Sequence, residues 1–408
     1  MHLLYAPVKR FGDLPKDSVL FCDEVKFSNN FALCHNQYFY KKHLLAGCVD
    51  VSPSILRRLR SKRKIRNIVL FAFGGFGDSC WAMPFAKELK KTYIGCKIFV
   101  LTEQKNVPLW LGADYIDFIG EDTFEARSKY MKFADEIYEF GGMATVYENC
   151  KKLDPVEAIF RMGDLKLPTL KKDCRPSFNL KLPDYQSIKS LLKDYNLNIY
   201  KDSYIVLATE SSTPNRDWSN HYNKILTQML VDFGYKVVLL SRNKTLENNI
   251  DFSCDCGFSM STFSKSSIDK YKFNCPKCGK IISFNRSIDQ KNIINLTSKT
   301  NIRQAMVLIS QADAFVGPNS GLMVLATGFE VPTVGLFGAF HPKSRTKFYE
   351  KFIALWGNLE CSPCDEHWKA CNKGLIAPCM LLIKPAQVFL SVKDLLKKYP
   401  KQKSEVVS

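Results

Sequence analysis

Four stretches of this chain combine residue types and spacings that could do chemistry. The first, Gly74-Gly75-Phe76-Gly77-Asp78, follows an apolar run that reads as a strand and opens an amphipathic segment that reads as a helix. Glycines there let the backbone turn tightly and let a ligand approach it, and the exposed N–H groups at a helix start favour anions. Asp78 is the informative member. A carboxylate would repel a dinucleotide pyrophosphate, but it suits a general base that faces a cleft and takes the proton from an attacking hydroxyl. A helix cap explains an Asp at that point equally well. Glu103, at the end of the following strand, stands where a dinucleotide-binding fold carries its ribose-binding acid, yet GGFGD does not supply the G-x-G-x-x-G spacing of that fold.

The second stretch, Val316-Gly-Pro-Asn-Ser-Gly-Leu-Met323, again reads as strand, loop and helix. Ser320 could offer a hydroxyl, and Gly321 a backbone N–H, to a diphosphate at a helix start. An ordinary turn capped by Asn319 or Ser320 is the alternative. The third runs from Thr209 to Trp218. Thr209 and Ser211 supply hydroxyls, and Arg216 is a fixed cation that suits charge developing on a departing phosphate. A surface loop with a packed Trp218 would look the same. In the fourth, Cys254-x-Cys256-Gly and Cys275-Pro-Lys-Cys278-Gly form two tight pairs separated by 18 residues. Four thiolates on two such turns complete a tetrahedral structural zinc site. A looser group, Cys361-Ser-Pro-Cys364 with Cys371 and Cys379, could be a second metal site.

These loops need elements to hold them. From Asn67 onward apolar runs alternate with amphipathic segments: NIVLFAF, a helix over Ser79 to Thr92, then KIFVLTE, a βαβ unit and therefore a parallel sheet. The pattern restarts at Tyr204 with a strand, a helix near His221 to Phe233 and the strand Lys236 to Leu240. It ends with Asp313-Ala-Phe-Val-Gly, a helix from Gly321 and the strand Thr333 to Phe337. Two αβ halves joined near residues 181–203 are expected, with a ligand cleft between them. The expected divisions are an N-terminal extension over 1–66 and a first Rossmann-like domain over 67–195. A second such domain covers 200–384, interrupted by the cysteine ribbon at 252–284, and a closing helix and tail occupy 385–408.

With 408 residues, 46% of them apolar and 24% charged, two packed domains are the natural expectation. The opening residues have no signal-peptide pattern and no stretch is apolar for long enough to span a bilayer, so a cytoplasmic protein is expected. Fifteen cysteines, an odd count in such a chain, argue for reduced thiols, some on metal. The balance of 58 Lys+Arg against 40 Asp+Glu gives +18, a field that attracts phosphates, nucleic acid or an anionic membrane surface. Part of it is the cluster Arg57 to Arg66, which also reads as a solvated face.

Together the segments resemble glycosyltransferase family nine, the ADP-heptose:lipopolysaccharide heptosyltransferases and their relatives, over about residues 67–397. The likeness rests on Gly77, Asp78 and Pro84 after the first strand, and on Ile205-Val-Leu-Ala, Arg216-Asp-Trp218 and Val237 to Leu240 in the second half. It also rests on Val316 to Val324, Pro332 to Gly338, the Cys-Ser-Pro-Cys and the final helix. The resemblance implies a GT-B architecture with a nucleotide diphosphate sugar in the C-terminal lobe, an acceptor against the N-terminal lobe and no catalytic metal. It implies inversion by direct displacement, with Asp78 as base, Gly75 and Gly77 on the acceptor-side loop, and Arg216, Thr209, Ser211, Asn319, Ser320 and Gly321 around the donor. Asn319 stands where the family often has Asp, Val324 where it often has His, and Arg216 where Lys is usual, which leaves the sugar open. The family's usual acceptor is a lipopolysaccharide core or other surface glycan, reached by peripheral contact with the inner membrane face. Modified DNA bases are a second acceptor class, and a non-catalytic zinc-containing nucleic-acid-binding protein is a third reading.

Overall fold

The computed structural model describes residues 66–140, 153–242, 291–364 and 377–401 with their side chains, together with residues 278, 279, 371 and 373. Elsewhere it describes the backbone of residues 2–5, 26–28, 31–34, 49–50, 249–253, 259–263, 271–274, 281–284 and 290. The N-terminal strands β1 (His2–Tyr5), β2 (Lys26–Ser28), β3 (Phe31–Cys34) and β4 (Val49–Asp50) form an antiparallel sheet of order β2-β3-β1-β4.

The first αβ half begins with β5 (Asn67–Phe71), whose Ile68 to Phe71 are buried as expected of a strand covered on both faces. The Gly74 loop turns it into α1 (Phe76–Trp81), followed by α2 (Met83–Thr92) with Pro84 in its first turn and Lys90 and Lys91 in its last, each where a helix end tolerates it. Then come β6 (Lys97–Thr102), α3 (Val107–Trp110), β7 (Phe118–Glu121), α4 (Phe124–Met131) and β8 (Glu136–Glu139). These strands make a parallel sheet of order β7-β6-β5-β8. Phe85 of α2 ties it to α5 (Pro155–Met162) through edge-on contacts with Tyr138, Phe140 and Phe160 at 5.0, 4.9 and 5.4 Å.

The segment between the halves is more ordered than its sequence pattern shows, since it holds α6 (Leu182–Leu191). The second half runs β9 (Tyr204–Ala208), α7 (Asn220–Asp232) and β10 (Lys236–Leu240). Two antiparallel pairs follow, β11 (Asn249–Ser253) with β12 (Ser259–Phe263) and β13 (Tyr271–Asn274) with β14 (Ile281–Phe284). The chain resumes with β15 (Ile293–Asn295), α8 (Ile302–Ser310), β16 (Ala314–Pro318), α9 (Gly321–Gly328), β17 (Thr333–Phe337), β18 (Phe352–Trp356), α10 (Pro378–Leu382) and α11 (Pro385–Lys398). The six strands of this lobe are all parallel, in the order β15-β10-β9-β16-β17-β18. That is the doubly wound order, which opens a crevice where the winding reverses, between the carboxyl ends of β9 and β16. α11 closes the lobe by burying Val388, Val392 and Leu395 with Val334 and Leu336 of β17.

The two parallel sheets fix where the chemistry sits. β5 and β8 border the corresponding reversal in the first sheet, so the Gly74 loop and the loops after β9 and β16 all emerge at such crevices.

Candidate active site

The loops after β5, β9 and β16 meet at one cleft of about 640 Å³ between the lobes. On the N-terminal side Gly74 takes a φ of 110°, which favours glycine, and a Cβ there would stand 3.0 Å from Asp78 Oδ2. The loop is held from below: Gly74 N–H donates to Glu103 Oε1 at 3.1 Å, and Asn106 Nδ2 donates to Gly74 O at 3.1 Å. The acid at the end of the second strand thus holds the glycine loop. Gly75 N–H donates to Asp78 Oδ2 at 2.8 Å, so Asp78 does cap α1, from the third helical position. Capping does not use up the carboxylate, whose two oxygens have about four acceptor sites.

On the C-terminal side Arg216 is fixed by its own loop. Its Nε donates to Thr213 Oγ1 at 2.8 Å, its Nη1 to Asn319 O at 2.9 Å, and its Nη2 to Ser212 Oγ. One guanidinium therefore ties the loop after β9 to the loop after β16, across the reversal point of the sheet. Ser320 Oγ, at the start of α9, is buried at the cleft with no hydrogen-bond partner among the described residues. A buried hydroxyl without a partner costs about 1–3 kcal/mol, so it marks a place that a ligand or water would fill. The lobes touch at this point: a Cβ on Gly321 would fall 2.5 Å from Phe76 Cβ.

Burial raises the Asp78 carboxyl above its ordinary range, and the Gly75 N–H, Arg345 and Arg216 pull it partway back. Burial also brings the Arg216 guanidinium down to about 10, against the pull of Asp217 and Asp78, so it stays charged at neutral pH. The cleft thus holds a carboxylate of raised proton affinity opposite a fixed cation and an anion-favouring helix start. Such a set can remove a proton from a nucleophile and stabilise charge on a departing phosphate.

The family model for glycosyltransferase family 9 (heptosyltransferase) matches residues 282–374, which span β15 to β18 and include the Asn319-Ser320-Gly321 loop. No curated protein matches the chain in sequence. Among solved structures, ADP-heptose lipopolysaccharide heptosyltransferase II from Escherichia coli superposes with a TM-score of 0.56 at 16% identity, covering 82% of this chain and 100% of that one. A glycosyl transferase family 9 protein from Veillonella parvula DSM 2008 gives 0.55 at 13% identity, over 82% and 99%. TibC of enterotoxigenic E. coli H10407, described as a dodecameric iron-containing heptosyltransferase and solved in complex with ADP-D-β-D-heptose, gives 0.53 at 17% identity, over 82% and 77%. The structural likenesses, at these identities, speak to the fold. The chain is a heptosyltransferase-like glycosyltransferase, and its two parallel-sheet lobes match the GT-B heptosyltransferase structures.

In this heptosyltransferase-like protein the cleft gathers Asp78, Gly75, Gly77, Arg216, Ser211, Asn319, Ser320 and Gly321, all expected from sequence. Thr209 is 1% exposed and does not border the cleft; its hydroxyl, too, has no partner among the described residues. Ser211 Oγ is occupied within its loop, donating to Thr213 O at 2.6 Å. Trp218 is packed, as the alternative reading had it, with Nε1 donating to Ile383 O at 3.0 Å. Val324 of α9 packs toward the Gly77 backbone. Sequence reasoning missed Arg345, which borders the cleft from the loop after β17, along with Arg242, which follows β10. Neither stands in a motif; only the closing of the two sheets brings them to the site.

Of the zinc candidates, Cys254, Cys256 and Cys275 lie outside the described residues, and Cys278 is exposed. Among the described residues no group of His, Cys, Asp and Glu is arranged to hold a metal. No helix among them is long and apolar enough to cross a membrane.

Proposed function

We propose that the protein transfers a sugar from a nucleoside diphosphate, ADP-heptose or a close analogue, onto an acceptor hydroxyl with inversion at the anomeric carbon. The observation that carries this reading is the cleft in which Asp78 of one lobe faces Arg216 and the Ser320-Gly321 helix start of the other. Asp78 takes the proton of the acceptor hydroxyl as its oxygen attacks the anomeric carbon, and the bond to the diphosphate breaks with its electron pair leaving on phosphate. Arg216 and the N–H groups opening α9 receive that charge. Ser320 Oγ finds a partner on the diphosphate, and Asn319 meets the sugar. A diphosphate is already a good leaving group, so positioning and charge stabilisation supply most of what is needed; no catalytic metal is invoked. Replacing Asp78 with Asn keeps the helix cap and removes the base, so turnover falls by about 10²- to 10⁴-fold while donor affinity holds. Near-normal turnover in D78N would sink the base assignment.

The acceptor we favour is an anionic surface glycan of the lipopolysaccharide-core type, met at the inner face of the membrane. The +18 charge of the chain supports an anionic acceptor of either class considered. Truncated lipopolysaccharide core and duplex DNA with hydroxymethylated bases, supplied in parallel with donor, separate the two by which one carries the sugar.

We also infer that Cys254, Cys256, Cys275 and Cys278 hold a structural zinc ion. Cys254 and Cys256 directly follow β11 in the sequence, and Cys275 and Cys278 follow β13, so each pair stands in the link of an antiparallel strand pair, the arrangement of a zinc ribbon. Cys361, Cys364, Cys371 and Cys379 lie among the described residues, where no such arrangement is found, and we assign them no metal. Elemental analysis is expected to find one zinc ion per chain, lost in C256S; a metal-free wild type would contradict the assignment.

A further inference from the structure

The loop after β17 brings a buried cation to the cleft. Arg345 follows the single turn Pro342–Ser344 and is 3% exposed. Its backbone N–H donates to Pro342 O at 2.8 Å and its Nη1 to Ser344 O at 3.0 Å. The guanidinium carbon stands 4.9 Å from the Phe340 ring centroid and 5.8 Å from that of Trp81. Phe340 belongs to the C-terminal lobe and Trp81 to α1 of the N-terminal lobe, so this side chain spans the seam between them, where cation–π contact and burial hold it in place. Next to it Trp81 Nε1 donates to Tyr349 Oη at 3.4 Å, a second link across the seam.

From there Arg345 lines the same cleft as Asp78, and its charge acts on two carboxylates of the other lobe. One is Asp78; the other is Asp154, the cap of α5, whose Oδ1 accepts from Val156 N–H at 3.0 Å. Other charged groups approach Asp78 as well. Arg216 faces it from the loop after β9, and Cys80 shares its helix, with a thiol that burial and then Asp78 push above its usual range. Glu103 is turned to Gly74 and Lys105, and Glu210 and Arg242 line other parts of the cleft.

We propose that Arg345 is a positioning residue of the transfer reaction: reaching across the seam into the cleft that Asp78 also lines, it supplies the counter-charge that keeps Asp78 a carboxylate. This rests on the reading of Asp78 as general base. The guanidiniums of Arg216 and Arg345 offset the Asp78 carboxylate before reaction. When Asp78 accepts the acceptor proton, the acceptor oxygen bonds to the anomeric carbon and the bond to the diphosphate breaks. With the Asp78 charge neutralised, the two guanidiniums are less compensated at the moment the leaving phosphate gains negative charge. Because Arg345 belongs to the opposite lobe, Asp78 has this counter-charge only while the lobes are together.

The test is a carbon-13 NMR titration of the full chain labelled at aspartate carboxyl carbons, with D78N identifying the Asp78 signal. R345Q is expected to raise the Asp78 midpoint by about one pH unit, R345K to keep it near the wild-type value, and D154N, which still caps α5, to lower it. An Asp78 midpoint unmoved in R345Q and in D154N overturns the proposal, and if R345Q does not fold the D154N arm decides it. Release of ADP from ADP-heptose by D78N is followed separately. Turnover retained there, with a midpoint that R345Q moves, would remove the base assignment and leave the coupling between Arg345 and Asp78 standing.

Discussion

Asp78 admits two readings that sequence alone could not separate. Its spacing after the glycines fits a helix cap and a general base equally, and in the fold the same carboxylate caps α1 and faces the cleft. Glu103 illustrates the converse: its position at a strand end suggests ribose recognition, whereas its partner is the Gly74 N–H. What made Asp78, Arg216 and Ser320 legible was a residue type set at a fixed offset from a strand end; Arg345 had no such offset and depended on the lobes meeting. Burial also pushes the Asp154 carboxyl up to about 6 from its ordinary 3.8. The folded state thus binds a proton that the unfolded chain has released. The stability this contributes is complete below about pH 4 and lost as the pH rises through about 6, a difference on the order of 3 kcal/mol. D154N, which keeps a capping side chain, is expected to flatten that dependence in urea unfolding followed across this window. An unchanged profile would mean that Asp154 is not the group responsible.

At the scale of elements, β5, β6, β9, β10, β16 and β17 were legible because each is a short apolar run closed by polar or glycine residues, whereas β7, β8 and β18 were not read, β7 and β8 being short and interrupted by glutamates. Lys236–Leu240 and Thr333–Phe337 stand where the pattern places them. The first helix begins earlier than its amphipathic pattern indicates, at Phe76, because the Asp78 cap recruits the glycine loop into it. α6 was hidden in the linker because its exposed Leu182 and mixed charge lack a clear apolar stripe; what fixes it is Arg303 of α8, whose Nε donates to Asp184 Oδ1 at 2.9 Å and whose Nη2 donates to Asn179 O at 2.8 Å. The contact between α1 and α9 is tighter than a side chain permits. G321A places a methyl against Phe76 and is expected to cost about 1–3 kcal/mol in urea unfolding, with weaker donor binding as the two loops are pushed apart. Unchanged stability and binding would mean that the two loops do not approach this closely.

At the scale of the molecule, the lobes are joined by charge as well as packing. Lys347 pairs with Glu157, and Arg175 with Glu330 at 2.8 Å and Glu350 at 3.4 Å. One continuous buried cluster runs from Ile68 and Phe85 of the first half to Met323 and Phe337 of the second. The two-lobed αβ plan could therefore be read from sequence, but the depth of the seam could not, since it depends on residues far apart in the chain. The central claim is that this seam binds a nucleoside diphosphate sugar through the second lobe and reacts it through the first. Calorimetric titration of the wild type, D78N and R216M with ADP-heptose, ADP, UDP and GDP tests it most directly. The account predicts that ADP-heptose binds the wild type and D78N alike and R216M about 10- to 100-fold more weakly, the loss expected for a hydrogen-bonded charge. Absence of binding by every one of these ligands, or binding indifferent to R216M, would contradict it.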